Sequence, residues 1–270
     1  MRGPCRAFTS SVLRLPSPVF RLPILGPNDP TRSPPNHRPV PTSLMTGKGK
    51  LGFRIITDVR RDSSELVKQF TGMATSNLAD AMGRFNFMDA EMRSRSGLPL
   101  CGVAVTVNCR PGDNLMVHKA LEVAQPGDIV VVTTNGNVTS SVFGELMCHT
   151  AVAAQLGGIV VDGAIRDVGA IVKLGFPAYS RVVSPGGCDK DGPGEINVDI
   201  CCGGTVVHPG DIVVGDSDGV VAVPEADSLE VLIRVRELLE TERKRIDEIQ
   251  GGTPFKRAID ETLREKGVIE

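Results

Sequence analysis

Tryptophan is missing from the chain, tyrosine occurs once, and aromatic residues make up only 4% of it. Single-stranded RNA is bound largely by stacking its bases on such rings, so that class of partner is poorly served. The 30 basic and 32 acidic residues nearly cancel, leaving a net charge of −2 and no field to draw a nucleic-acid backbone. No apolar run reaches the roughly 20 residues that span a bilayer, so a membrane partner is not expected either. The seven cysteines are odd in number, include no Cys-x-x-Cys pair, and lie mostly in apolar or strand-like surroundings such as Cys101, Cys109 and Cys201-Cys202. Free thiols in a reducing compartment are expected rather than a zinc site. No Gly-x-Gly-x-x-Gly loop follows an early strand, which speaks against a methyltransferase with a nucleoside cofactor.

At 270 residues the chain can bury a substantial core, as one large domain or two small ones. Residues 1–48 differ from the rest: they are rich in Pro and Ser, carry Arg2, Arg6, Arg14, Arg21, Arg32 and Arg38, and contain only Asp29 as an acid. Disorder is expected there, because such a segment cannot bury enough apolar surface to fold. Two readings of it stay open: an organelle transit peptide, which has this composition, or a start at Met45. Residues 49–250 are expected to form the folded domain and 251–270 a tail.

Within that domain the spacing predicts helices from Ser63 or Ser64 to Gly72 and from about Ser76 to Gly83. A strand over 100–107, a helix over 114–123, and a continuous apolar strand over 129–132, buried on both faces, come next. Residues 133–141 read as a polar loop shaping one wall of a crevice. The long Gly- and Pro-rich loop over 184–197 holds Cys188, Asp189, Lys190, Asp191 and Glu195, a composition that invites function. Short strands are predicted at 198–200, 205–207, 212–214 and 220–223, with Asp218-Gly219 as a hairpin turn. Pro224 opens a long helix over 225–250 whose apolar stripe is Leu229, Leu232, Val235, Leu239, Ile246 and Ile249. This mixture of βαβ and hairpin segments implies a layered α/β domain with a central mixed sheet and a long C-terminal helix.

The chain is organised around residues 144–167. A helix over 145–156, a Gly157-Gly158 stop, a buried strand over 159–161 and a turn delivering Arg166 and Asp167 make half of a βαβ unit. The unpaired amides of Glu145, Leu146 and Met147 at the helix N-terminus could hold a carboxylate, and Gly144 lets an anion come close. Arg166 and Asp167, at a strand's carboxyl end, would enter the same crevice. Arginine offers a planar fork for a carboxylate, and aspartate is a hard oxygen ligand for magnesium or manganese. Together these suit a small 2-oxo acid bound through a divalent metal. A surface Arg–Asp pair beside an ordinary helix fits the same spacing, and Glu145 could simply favour the helix dipole.

Glu145, twenty residues, and then Arg166-Asp167 resembles the acid-X20-Arg-Asp signature of the class II pyruvate aldolases, specifically 4-hydroxy-4-methyl-2-oxoglutarate aldolase and the RraA-like family. The similarity runs on through Gly175-Phe176-Pro177, Ser184-Pro185, Gly203-Gly204, Pro209-Gly210-Asp211 and Asp216-Ser217-Asp218-Gly219-Val220-Val221, and covers roughly residues 67–249. It implies an αββα swivelling-domain fold, assembled as homotrimers or homohexamers with sites at subunit interfaces. It also implies a lyase that releases pyruvate from 4-hydroxy-2-oxo acids and decarboxylates oxaloacetate. Asp167 would hold Mg2+ or Mn2+, Arg166 would clamp the keto acid, Glu145 would hold a metal-bound water, and the amides of Leu146 and Met147 would bind the substrate carboxylate, with both their side chains in the core.

A further acid from a neighbouring subunit's C-terminal helix is implied, with Glu240 and Glu242 as candidates, although a solvated helix face explains both. The family also includes non-catalytic ribonuclease E inhibitors, a second reading of the chain; those tend to lose the Asp after the Arg, which this chain keeps. His118 and His149 are expected to be packing residues, Lys173 to serve the dipole at a helix end rather than a Schiff base, and Asp162 and Asp189 receive no role. A cytoplasmic location is expected, or an organellar one if residues 1–48 are a transit peptide.

Overall fold

The computed structural model describes residues 47–270 apart from Arg60, Asp62 and Ser63. The reading of residues 1–48 therefore lies, but for Gly47 and Lys48, outside the described residues, as does Ser63 as a helix cap. In chain order the elements are β1 (Gly47–Lys48), β2 (Ile55–Ile56), α1 (Ser64–Phe70), α2 (Thr75–Ala81), β3 (Arg93–Ser94), β4 (Leu100–Cys109), α3 (Leu115–Val123), β5 (Ile129–Thr133), β6 (Ser141–Phe143), α4 (Glu145–Ala153), β7 (Gly158–Ile165), α5 (Val168–Lys173) and β8 (Ala178–Val183). There follow β9 (Gly194–Ile196), β10 (Ile200–Cys202), β11 (Thr205–Val207), β12 (Ile212–Gly215), β13 (Val220–Val223), α6 (Ser228–Gln250), which a 3-10 turn at Glu225–Asp227 introduces, and α7 (Arg257–Glu265).

The frame is a mixed sheet in which β4, β5, β7 and β8 run parallel side by side, β9 and β12 lie antiparallel to β4, and β13 is antiparallel to β12. Alternation along each central strand makes two faces. Val105, Val107, Val130, Val132, Ile159 and Val161 face α3, α4 and α5, while Ala104, Ile129, Val131 and Val160 face Tyr179, the β10–β11 hairpin and β12–β13. The opposite side of β12–β13, through Ile212, Val214, Val221 and Val223, packs on α1, α2 and α6. Helices, sheet, sheet and helices are thus stacked in four layers around two-sided strands, which is why those strands read as unbroken apolar runs.

The structure departs from the sequence reading in several places. Helix α4 ends at Ala153 rather than 156, because Gln155 takes the left-handed conformation (φ 57°) and the Leu156 N–H returns to the Ala151 carbonyl. The Gly157-Gly158 pair serves close packing instead. A Cβ on Gly157 would stand 2.5 Å from the Gly127 carbonyl oxygen, and one on Gly102 of β4 2.3 Å from the same atom. Gly102→Ala meets backbone that cannot yield, and is expected to cost about 1–3 kcal/mol, read as a lower denaturant midpoint at unchanged m-value; an unmoved midpoint would show that the turn at Gly127 gives way.

Helix α2 is not capped by a side chain of its own. Asp216, in the β12–β13 turn, accepts from the Thr75 N–H (2.8 Å) and hydroxyl (2.7 Å), a partner 141 residues away that local pattern does not reveal. Of the stripe expected on the long helix only Leu232 and Val235, joined by Val231, are buried. Leu239, Ile246 and Ile249 are exposed, because a helix of 23 residues, about 35 Å long, outruns the sheet it packs on, and Leu229, in the packed first turn, is exposed as well. The expected tail contains α7, whose residues pack on no core. No described helix is long and apolar enough to cross a membrane.

Candidate active site

Residues 141–143, expected to be loop and its exit, form the short strand β6 along the end of β7, with Ser141 opposite Ala164 and Phe143 opposite Ile165. The Arg166 N–H continues this pairing by donating to the Phe143 carbonyl (3.0 Å). Two adjacent parallel strands therefore end together, and each leads into a helix, α4 after Gly144 and α5 after Asp167. Two helix N-termini side by side concentrate unpaired N–H groups and positive potential at one spot.

Glu145, Arg166 and Asp167 meet there. The Glu145 N–H donates to Asp167 Oδ2 (3.1 Å), and Arg166 Nε lies 3.6 Å from the same oxygen. One of the three amides proposed for a substrate carboxylate is thus engaged by Asp167, leaving those of Leu146 and Met147 in the first turn, where no helical acceptor exists. Asp167 itself is left-handed (φ 58°, ψ 33°), a conformation that aspartate tolerates better than most residues and that turns the chain sharply between strand and helix. Gly144 is extended (φ −160°), so its lack of a side chain matters for space: a Cβ would stand 2.7 Å from Asp167 Oδ2 and 3.0 Å from Arg166 Cγ.

These groups line a cleft of about 220 Å3 together with Asn114 and His118 of the α3 segment, Ser141, Phe143 and Lys190. Met147 is buried, as expected, but Leu146 is 83% exposed at the mouth. As the second residue of α4 it points away from the sheet while Met147 points into it. His118 and His149 are both exposed rather than packed in the core, and His118 lines the cleft. Partial burial, and then the charge of Lys190, hold the His118 pKa below its ordinary value, which favours the neutral imidazole at pH 7.

Asn114, His118 and Lys190 were missed as site residues. The signal available was the i, i+4 spacing of Asn114 and His118 on one helix face, together with the composition of the 184–197 loop. Asp162 lies elsewhere, accepting from Arg181 Nε (2.7 Å) and the Gly203 N–H (2.8 Å). Lys173 sits exposed in the last turn of α5. Glu240 pairs with Arg243 on the exposed face of α6, and Glu242 accepts from Asn77 Nδ2 (2.9 Å).

Thiol catalysis has no support here. Burial, and then the charge of Glu145, push Cys148 up to about 11, and burial followed by Asp113 and Asp189 raises Cys188 as well, so both stay protonated at neutral pH. A larger cavity of about 750 Å3 lies apart from the cleft, against Arg54, Asp199, His208, Asp211 and Glu225. Much of its polarity is internally satisfied: Arg54 pairs with Glu195 (2.6 Å), His208 with Asp199 (2.9 Å), and Asp211 accepts from the His208 and Glu225 N–H groups. The unpaired helix amides, Arg166 and Asp167 lie together in the smaller cleft, which is the candidate site.

The mixed α/β body thus brings two helix N-termini, a guanidinium and a carboxylate together at the carboxyl ends of parallel strands. Residues 75–222 match the family model described as RraA-like, Aldolase/RraA, and the chain belongs to that family. It is 36% identical over 173 residues to a Halalkalibacterium halodurans protein provisionally named 4-hydroxy-4-methyl-2-oxoglutarate aldolase, covering 64% of this chain and 82% of that one. Among solved structures, an uncharacterized Pseudomonas syringae protein superposes with a TM-score of 0.66 at 26% identity, over 72% of this chain and 92% of the other. A Streptomyces coelicolor protein described as an unusual member of the RNase ES inhibitor RraA family superposes with a TM-score of 0.63 at 26% identity, over 69% and 98%.

Proposed function

We propose that the chain is a divalent-metal-dependent carbon–carbon lyase that cleaves 4-hydroxy-2-oxo acids of the 4-hydroxy-4-methyl-2-oxoglutarate type to pyruvate, and decarboxylates oxaloacetate through the same enolate. The observation that carries the reading is the meeting of Arg166 and Asp167 with the N-terminus of α4 across one small cleft. The names of relatives support it at the level of aldolase.

The donor set fits magnesium or manganese. No three His, Cys, Asp or Glu side chains converge as a cage among the described residues. These hard ions, though, keep several waters and need only one or two carboxylates plus substrate oxygens. Asp167 would hold the ion, with Glu145 reaching it through water. The bound ion supplies Lewis-acid stabilisation of the charge that develops on the 2-oxo group.

The chain's own groups do the rest. The Leu146 and Met147 amides and the Arg166 fork neutralise and orient the 2-oxo acid. Glu145 orients a water that accepts the 4-hydroxyl proton as the C3–C4 bond breaks, the electrons of that bond pass into the enolate, and return of the proton to C3 gives pyruvate. Assembly into a homotrimer or homohexamer belongs to the same reading, and exposed Leu239, Ile246 and Ile249 on α6 offer apolar surface that a neighbouring subunit would cover.

Pyruvate release from several oxo acids, coupled to lactate dehydrogenase and measured with Mg2+ or Mn2+ and after chelation, tests the proposal. Metal-dependent pyruvate formation is expected. A second reading, a ribonuclease-binding regulator, rests on the likeness to the Streptomyces protein; ribonuclease captured in a pull-down, with no pyruvate formed from any acid, would put it first.

A further inference from the structure

We propose that the larger cavity, where β9 and β12 part, is a second ligand site, and that it takes a small organic cation: a primary ammonium group on an apolar body. It shares no lining residue with the α4–α5 cleft and stands whatever reaction runs there.

The cavity follows from how one edge of β4 is shared. That edge pairs with β12 from Leu100 to Val103 and with β9 from Val107 to Cys109. In the gap between the two ladders the Ala104 N–H donates to the Asp211 carbonyl (2.8 Å), and the Asn197 N–H donates to the Thr106 carbonyl (2.8 Å). Asp211, just before β12, and Asn197, just after β9, are thus tied to β4 two residues apart, about 7 Å along the strand. From there the segments separate around a cavity of about 750 Å3, which falls among the roughly 300–1,000 Å3 of sites that enclose a small organic molecule. Ile56, Val59, Val198, Pro209, Pro224 and Ala226 give it apolar walls.

Asn197 carries an unmet acceptor into this lining. It is only 3% exposed and its Oδ1 has no hydrogen-bond partner, while its Nδ2 donates to the Ile56 carbonyl (2.7 Å). That bond fixes which end of the amide is which, because the reverse orientation would set oxygen against oxygen. A buried acceptor left unmatched costs about 1–3 kcal/mol, and an N–H donor is what it lacks.

The charges select the class of donor. Both cationic side chains of the lining are already paired: Arg54 makes two bonds to Glu195 (2.6 and 2.9 Å), and His208 Nδ1 lies 2.9 Å from Asp199 Oδ1. Three carboxylates of the lining have no cation among the described residues. Asp211, 2% exposed, accepts only the N–H groups of His208 (2.7 Å) and Glu225 (3.0 Å), and its burial holds its pKa above the ordinary value, as befits an anion short of countercharge. The carboxylates of Asp58 and Glu225, nearer solvent, make neither an ion pair nor a hydrogen bond among the described residues. An anion is repelled by this set. A bare metal ion finds no cage, since no three His, Cys, Asp or Glu side chains converge among the described residues. A primary ammonium supplies both the missing charge and the missing N–H, and the apolar walls take the hydrocarbon behind it.

Calorimetry on the full chain with three probes of one skeleton tests the site: 4-phenylbutylamine, its trimethylammonium counterpart, which keeps the charge and loses every N–H, and 4-phenylbutanoate. The amine is expected to bind at least about tenfold more tightly than the carboxylate and about fivefold more tightly than the trimethylammonium form. Asp58→Asn combined with Glu225→Gln, two changes of charge without change of shape at positions that reach solvent, should weaken the amine about fivefold and leave the carboxylate no weaker than before. A carboxylate bound as tightly as the amine, a trimethylammonium form bound as tightly as the primary one, an amine affinity unmoved in the double variant, or no binding of the amine at millimolar concentration would each overturn the site.

Discussion

Asp167→Asn is expected to lower metal-dependent pyruvate release by at least about 10^3-fold while leaving the folded state nearly as stable as before. Asparagine is the informative replacement because residue 167 is left-handed, a region that asparagine enters readily and alanine does not. The amide also keeps an oxygen that can accept the Glu145 N–H, so the start of α4 stays capped, and a stability change below about 1 kcal/mol is expected. What disappears is the negative charge, and with it the hard ligand for a divalent cation. Pyruvate release and the thermal midpoint, measured on the same preparation, separate the two effects. Turnover within a few-fold of the parent would remove Asp167 from the reaction and the metal with it.

Gly144→Ala should be nearly as damaging for a different reason. The backbone at 144 is extended, so alanine is not strained there, and the added methyl group meets side chains rather than main chain. At 2.7 Å from Asp167 Oδ2 and 3.0 Å from Arg166 Cγ it must displace both, and their exposed ends can move at little cost in stability. Displacing reacting groups by even 1 Å can cost about 10^2-fold in rate, so a fall of that order in kcat/KM is expected with only a small shift in Tm. Gly169→Ala, at the second residue of α5, is the control, because a Cβ there meets nothing within 4 Å. It should leave the rate alone and, as a helical Gly-to-Ala change, stabilise slightly. A Gly144→Ala enzyme with the parent's kcat/KM would mean that the Arg166–Asp167 pair need not hold the placement seen here.

Much of the molecule was legible along the chain. β5, β11, β12 and β13 were read to within a residue, because β-branched runs bounded by Gly, Pro and Asp state both their type and their limits. The core triad of the site was legible too, since Glu145, Arg166 and Asp167 sit at the ends of one apolar helix–strand stretch whose periodicity brings them to one edge. Leu146 and His149 were misjudged, because an apolar neighbourhood in sequence does not say which side of a first turn faces solvent. His118 was misjudged for the related reason that one side of α3 borders a cleft rather than a core.

The local order of polar and apolar residues determined, by itself, the α/β class and the residues that meet at two helix starts, because each depends on periodicities of two and 3.6 and on turn chemistry within a few positions, while the family was legible in the ordered motifs from Glu145 to Val221 that resemble it. Only the tertiary structure decided that β6 pairs beside β7, that Asp216 caps α2 from 141 residues away, that Gly144 is required for space rather than for its backbone angles, and that Lys190 lines the same cleft as Arg166. Those are contacts between segments remote in the chain, and a pattern with a reach of one or two turns carries no record of which remote segment will be brought against it.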